Sequence, residues 1–234
     1  MLIFEREDLH ILTMVEPTKP QLTIDVLKTE AKAFSLKEST HDEPSLYGVT
    51  DGKAVGTYLE HKFVAHLMDI YDFAGGNSAL GIDIPSINVD IKVTSIKQPQ
   101  SSCPFRSARQ KIWGLGYHVI VFVYEKTDDD TLRTGRLNMK HTILVRKEMT
   151  GDYQMTRGLR EILEKDANED DLIAFMMDKN LPLEEIEASS IAKELLKNKP
   201  EQGYLTISNA LQWRLQYGRV IAQAGTIPGI DRIS

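Results

Sequence analysis

The chain has 234 residues, of which 41% are apolar and 26% charged, and its net charge is −6. That length can bury a core unaided, and the single cysteine, Cys103, excludes a disulfide framework and a cysteine-based zinc site. No apolar run could span a bilayer, and the acidic N-terminus lacks the basic region of a signal peptide, so a cytoplasmic protein with no membrane partner is expected.

Apolar residues at Leu22, Val26, Leu27, Ala31 and Phe34 give 21–36 a helical period. Residues 37–51, with Pro44 and Gly48, read as a loop, and 55–70 as a second amphipathic helix. A glycine-bearing turn region covers 72–78. Residues 80–84 and 88–96 alternate polar and apolar side chains, the pattern of strands. A short helix is expected over 104–114. The β-branched and aromatic run 117–124 predicts a buried strand. A turn follows at 128–130 and another strand at 137–145. After Gly151 the pattern becomes helical, at 157–165, 170–179, 183–197 and 208–223. The sum is an α/β core over 1–150 and a helical subdomain over 151–234.

Net negative charge argues against a nucleic-acid binder, but the charge is unevenly spread. Residues 1–80 carry −6 and 148–201 carry −7. By contrast, 81–147 hold 11 Lys/Arg against 6 Asp/Glu, and 202–234 hold 3 against 1. Two basic surfaces facing a polyanion explain this; solvated acidic helices plus chance are the alternative.

The stretch 80–95 carries the chemistry. Val89, Ile91 and Val93 take one face of a strand, and Asn88, Asp90, Lys92 and Thr94 the other. If Ser86 and Ile87 form a two-residue turn, Ile84 opposes Val89 and Asp83 opposes Asp90, roughly 5 Å apart. Opposed like charges destabilise a sheet, and a divalent cation such as Mg²⁺ is the natural offset. Lys92 beside it could orient a water or stabilise charge at phosphorus, which together make a phosphodiester hydrolysis site. An exposed strand with a surface ion pair is the competing explanation.

Gly81-Ile82-Asp83-Ile84-Pro85 followed by Asp90-Ile91-Lys92 resembles the active-site hairpin of the PD-(D/E)XK nuclease superfamily. More narrowly, the chain resembles a type II restriction endonuclease across roughly residues 54–125. The proline departs from the family pattern, following Asp83 by two positions instead of preceding it. The resemblance implies a mixed central sheet flanked by helices, with Asp83 as the paired acid, Asp90 as the second acid and Lys92 as the lysine. It maps a further helix glutamate onto Glu60. Metal ligands would be Asp83, Asp90 and Glu60, holding Mg²⁺ with Mn²⁺ as substitute. The implied partner is double-stranded DNA, cut at a specific sequence by a homodimer. Lys97, Arg106, Arg109 and Lys111 would hold phosphates beside the active-site strand.

In the tail, Ser208 can cap a helix whose Leu211 and Leu215 form a core seam. Asn209, Gln212, Arg214 and Arg219 around them are side chains that read bases or grip phosphate. A helix packed on the core or at a dimer interface would look similar. Gly48–Lys53 is one residue short of a phosphate loop, and His61 and His66 do not align for a shared metal. Two rival functions remain at this stage: a structure-specific repair or junction-resolving nuclease, and a non-catalytic DNA-binding protein with a nuclease-like fold.

Overall fold

A computed structural model describes residues 19–74, 76, 81–103, 106–208 and 213–234. Helix α1 (Ile24–Glu38) begins where the Thr23 hydroxyl accepts from the Val26 amide, with Asp25 in its first turn and Lys37 in its last. Helix α2 (Gly52–Ile70) is capped by Asp51, whose carboxylate accepts from the Lys53 amide. Both helices bury an apolar stripe: Leu27, Ala31 and Phe34 on α1, and Val55, Leu59, Phe63 and Leu67 on α2.

The stripes lie on a mixed sheet. Strands β2 (Val89–Ser95) and β4 (His118–Asp129) run parallel, and β4 pairs antiparallel with β5 (Thr134–Val145). The outer edge of β5 takes β1 (Asp42–Glu43) near its start and β8 (Ile230–Arg232) near its end. Because β4 is covered on both faces, it reads as a continuous apolar run. Ile120, Phe122 and Tyr124 face the helices, and Phe34, Phe63 and Phe122 meet with ring centroids 4.9–5.9 Å apart. Val119, Val121 and Val123 face a second, antiparallel sheet, ordered β3 (Gln100–Cys103), β7 (Trp213–Gln216), β6 (Thr206–Ile207). A third apolar cluster joins α3 (Arg109–Trp113) to the helical layer of α4 (Tyr153–Leu163), α5 (Glu169–Asp178) and α6 (Glu185–Leu195). Among the described residues no helix is long and apolar enough to cross a membrane.

The α/β architecture with a mixed sheet and flanking helices is as expected, but several segments differ, among them β3, β6 and β8, which the residue pattern did not announce. The 37–51 loop contributes β1, whose Asp42 binds Arg136 through both carboxylate oxygens. The strand expected at 80–84 is reduced to a single bridge at Ile84; residue 80 lies outside the described residues. The helix expected over 208–223 is overturned. Residues 213–216 form β7, and only Gly218–Gln223 is helical, as α7. Trp213, Leu215 and Tyr217 are buried and alternate with exposed Arg214 and Gln216, a period of two that pairing with β3 satisfies.

Truncating the two faces of β7 tests this assignment. Leu215→Ala should cost roughly 2–5 kcal/mol in denaturant unfolding, and Gln216→Ala no more than about 0.5 kcal/mol.

Candidate active site

Residues 84–89 form the tight connection that the alternation called for. Ile84 and Val89 exchange backbone hydrogen bonds of 2.9 and 3.1 Å, an antiparallel bridge. Between them Pro85–Ile87 makes one 3₁₀ turn, for which proline presets φ, and Asn88 closes it in the left-handed region at φ 56°. The Asn88 side-chain amide donates to the Gly116 carbonyl at 2.9 Å, tying the turn to the start of β4. Asp83 therefore lies across from Asp90, as expected. Its carboxylate accepts the backbone N–H of Ile91, on edge strand β2, at 2.6 Å. The Asp83 carbonyl accepts from the Gly76 amide at 2.9 Å. A β-carbon at Gly76 would sit 2.2 Å from the Ile82 carbonyl, so only glycine permits this approach.

Asp90 is 3% exposed and its carboxylate contacts Lys92 Nζ at 2.6 Å. Burial pushes the Asp90 carboxyl up to about 7; Lys92 opposes the rise, and Asp83, within hydrogen-bond reach, adds to it. Burial pulls the Lys92 ammonium down, but Asp90, Asp83 and Glu60 outweigh it and hold that pKa above the usual lysine range. Glu60 projects from α2 toward the same centre. Burial and its contact with Asp83 raise its carboxyl above the ordinary value. Three acids and one lysine thus share a poorly solvated space, with negative charge in excess.

That donor set is oxygen only and suits a hard divalent cation. Asp83 contacts both Asp90 and Glu60. Among the described residues no three His, Cys, Asp or Glu side chains are grouped so as to hold a metal ion by themselves. The arrangement fits an ion that takes one or two carboxylates and leaves its other positions to water and phosphate, as Mg²⁺ does.

Glu60 and Lys92 line a cleft of about 930 Å³ between the N-terminal half of α2, strand β2 and the second sheet. Lys53, Lys92, Lys97, Lys126 and Arg214 line it, against two acids, Glu60 and Asp128. Lys97 and Arg214 were expected at DNA. Lys53 and Lys126 were not, although each had a signal: Lys53 lies seven residues, two helical turns, before Glu60, and Lys126 continues the period-two row of Tyr124 and Asp128.

The other expected DNA residues are placed differently. Arg106 is exposed and runs past Gly81. Arg109 pairs with Glu194 of α6 and stacks on Trp113 with its guanidinium 4.4 Å from the ring centre. Lys111 is buried, 5.2 Å from the Trp213 ring centre and under the field of Asp152. Arg219 lies over the Tyr153 ring at 3.6 Å. Asn209 and Gln212 lie outside the described residues.

Paired acids and a lysine at the edge strand of a mixed sheet, the lysine lining a cleft rich in basic side chains, are an arrangement suited to phosphodiester hydrolysis. Residues 21–232 match the family described as Type II restriction enzyme NspV, and the chain belongs to that family. It is 65% identical to the type II restriction enzyme NspV of Nostoc sp. over 209 residues, which cover 89% of this chain and 95% of that protein. No solved structure matches it. The chain is accordingly a site-specific deoxyribonuclease whose partner is DNA, in a class that generally uses a divalent metal. The repair-nuclease and non-catalytic readings give way to this one.

The buried Asp90 makes the fold sensitive to pH when metal is removed. Its folded pKa, about 7, exceeds the ordinary value of about 3.9. The folded state therefore binds more protons between those limits, and stability falls as pH rises from about 4 through about 7. In EDTA, the melting temperature of the wild-type protein should fall across this window, and that of Asp90→Asn should fall less. Equal slopes would show that the Asp90 carboxylate is not burdened by burial.

Proposed function

We propose that this restriction enzyme is a cytoplasmic homodimer that cuts both strands of duplex DNA with Asp83, Asp90, Glu60 and Lys92 as its catalytic set and Mg²⁺ as its metal, Mn²⁺ substituting. The supporting observation is the 2.6 Å contact between Asp90 and Lys92 directly beside Asp83, with Lys92 lining the cleft. A duplex target with two-fold symmetry calls for two copies of the chain, one centre per strand.

When bound, the divalent ion would supply positive charge at the scissile phosphate and favour ionisation of an attacking water. Asp83 and Asp90 would hold it, with Glu60 facing its outer side. Hydrolysis joins the water oxygen to phosphorus, breaks the bond to the leaving oxygen and delivers a proton to that oxygen. Lys92 remains protonated beside its acids, so its Nζ orients the water and stabilises the negative charge that develops on the phosphoryl oxygens. Asp90 positions that ammonium. Asp83, with one oxygen committed to the Ile91 amide, has the other for the ion. Lys53 and Lys97 on the cleft walls face the flanking phosphates.

Asp90→Ala and Lys92→Ala should each lower cleavage by at least about a hundredfold to a thousandfold while circular dichroism stays native. Near-normal cleavage by either folded variant rejects the assignment. In a divalent-ion series, Mg²⁺ and Mn²⁺ should support cleavage, and Ca²⁺ binding with little turnover. Purified heterodimers of wild-type and Asp90→Ala chains should nick a supercoiled plasmid without linearising it; full linearisation would count against one centre per strand.

A further inference from the structure

The second sheet has two unlike faces. Toward the core it turns Cys103, Ile207, Trp213 and Leu215, while half-buried Ser101 lines the cleft and sets its hydroxyl 2.6 Å from that of buried Tyr217. Gln100 pairs with Gln216, and Ser102 with Arg214. Directly opposed residues of an antiparallel pair share a face, so these four side chains form two adjacent rows on the other side. Thr206 of β6 extends the glutamine row. Ser102, Arg214 and Gln216 are exposed, and Gln100, Ser102 and Arg214 line the cleft.

We propose that this outward face of β3 and β7 reads base edges in the major groove, with Arg214 taking a guanine and Gln100 and Gln216 taking adenines. The inference rests on Asp90 and Lys92 being the cutting centre, and it assigns the specificity of that centre to a particular surface. Three observations favour it.

First, the cleft is chemically divided. Lys53 stands on α2, Lys126 on β4 and Lys97 in the turn between β2 and β3, whereas the sheet itself offers the Gln100 amide, the hydroxyls of Ser101 and Ser102 and the Arg214 guanidinium. Ammonium groups suit phosphates. Base edges are uncharged donors and acceptors, which glutamine matches bidentately at adenine and arginine at guanine.

Second, the scale fits. A two-stranded ribbon, with strands about 4.8 Å apart, is an element that the major groove admits. β3 and β7 form such a ribbon along four paired positions.

Third, the ribbon is fastened to the catalytic strand. The Gln100 backbone N–H donates to Thr94 Oγ1 at 2.9 Å, and that hydroxyl lies 3.1 Å from the Gln100 backbone carbonyl, which leaves the Gln100 side chain out of the linkage. Thr94 is two residues past Lys92, roughly 7 Å along the strand and about two base-pair steps. A shift of the reading surface along DNA thus moves the cutting centre with it.

The test uses the full chain and the target that the wild-type protein cuts in a plasmid digest. Duplexes carry that target, each single base-pair change of it, or 7-deazapurines that lack the N7 acceptor. Arg214→Ala and Arg214→Lys should both lose about ten- to a hundredfold in discrimination at one G·C pair and keep it elsewhere. 7-Deazaguanine at that pair should weaken the wild type and add nothing to the Arg214→Ala defect. Gln216→Ala should do the same at an A·T pair with 7-deazaadenine. Loss of affinity for every duplex alike, restored by Arg214→Lys and with a salt slope lower by about one unit, would make Arg214 a phosphate contact and overturn the proposal. So would unchanged discrimination in folded variants. Asp90→Ala, measured alongside, separates the two readings: cleavage by that variant rejects the catalytic centre, whereas intact discrimination in the ribbon variants rejects the reading surface.

Discussion

Two backbone hydrogen bonds, exchanged between Ile84 and Val89, press two carboxylates together where solvent is scarce. Nothing about Asp83 and Asp90 favours that arrangement, since each raises the cost of ionising the other. It persists because the backbone around it is fixed on several sides: by the proline-led turn, by Asn88 against Gly116, and by Gly76 under Asp83. Lys92 offsets part of the repulsion but cannot neutralise three acids. The remaining charge is a cost to the fold that a cation held there would relieve, which would link affinity for metal to the stability of the site. The same excess of negative charge would repel a phosphodiester, which is why the basic side chains are gathered along the cleft beyond it.

The walls of that cleft are anchored to opposite faces of one strand. Ile120 and Phe122 of β4 pack toward α1 and α2, the second of which carries Glu60 and Lys53. Val121 and Val123 pack toward Leu215 and Trp213, behind Arg214 and Gln216. The distance from the catalytic wall to the ribbon is therefore set by the thickness of two close-packed layers across β4. A cavity opened in either layer, far from any DNA contact, would alter how the two walls present themselves to a duplex.

Much of this was visible in the residue pattern, and the exceptions share a cause. The alternation of 88–94 was legible locally, and it set Asp83 opposite Asp90 on the assumption of a turn at Ser86 and Ile87; the structure keeps that opposition with a turn built by Pro85–Ile87 and a left-handed Asn88. The run 117–124 likewise announced a strand covered on both sides. What escaped were features decided by distant partners. Arg109 and Lys111 stand close to the active-site strand in sequence, but Arg109 pairs with Glu194 and Lys111 is buried against the Trp213 ring. The tail offered two periods at once: Leu211 and Leu215 at helical spacing, and Trp213, Leu215 and Tyr217 at strand spacing. Pairing with β3, more than a hundred residues upstream, chose the second. Lys53 and Lys126 carried detectable signals on α2 and β4, but no single motif joins them to Lys92.

The long separation between β3 and β7 also has a consequence for synthesis. β3 ends at Cys103, and its partner Trp213 emerges roughly 110 residues later. At ribosomal speeds of about 5–20 residues per second, β3 waits roughly 5–20 s with an unpaired edge. An apolar strand left open for that time invites pairing with neighbouring nascent chains. Gln100-Ser101-Ser102 is a poor template for such pairing, because it offers a stray strand almost no apolar surface to bury. The same uncharged polar side chains that suit this strand to the edges of bases leave it little apolar surface to offer a neighbouring chain before β7 arrives.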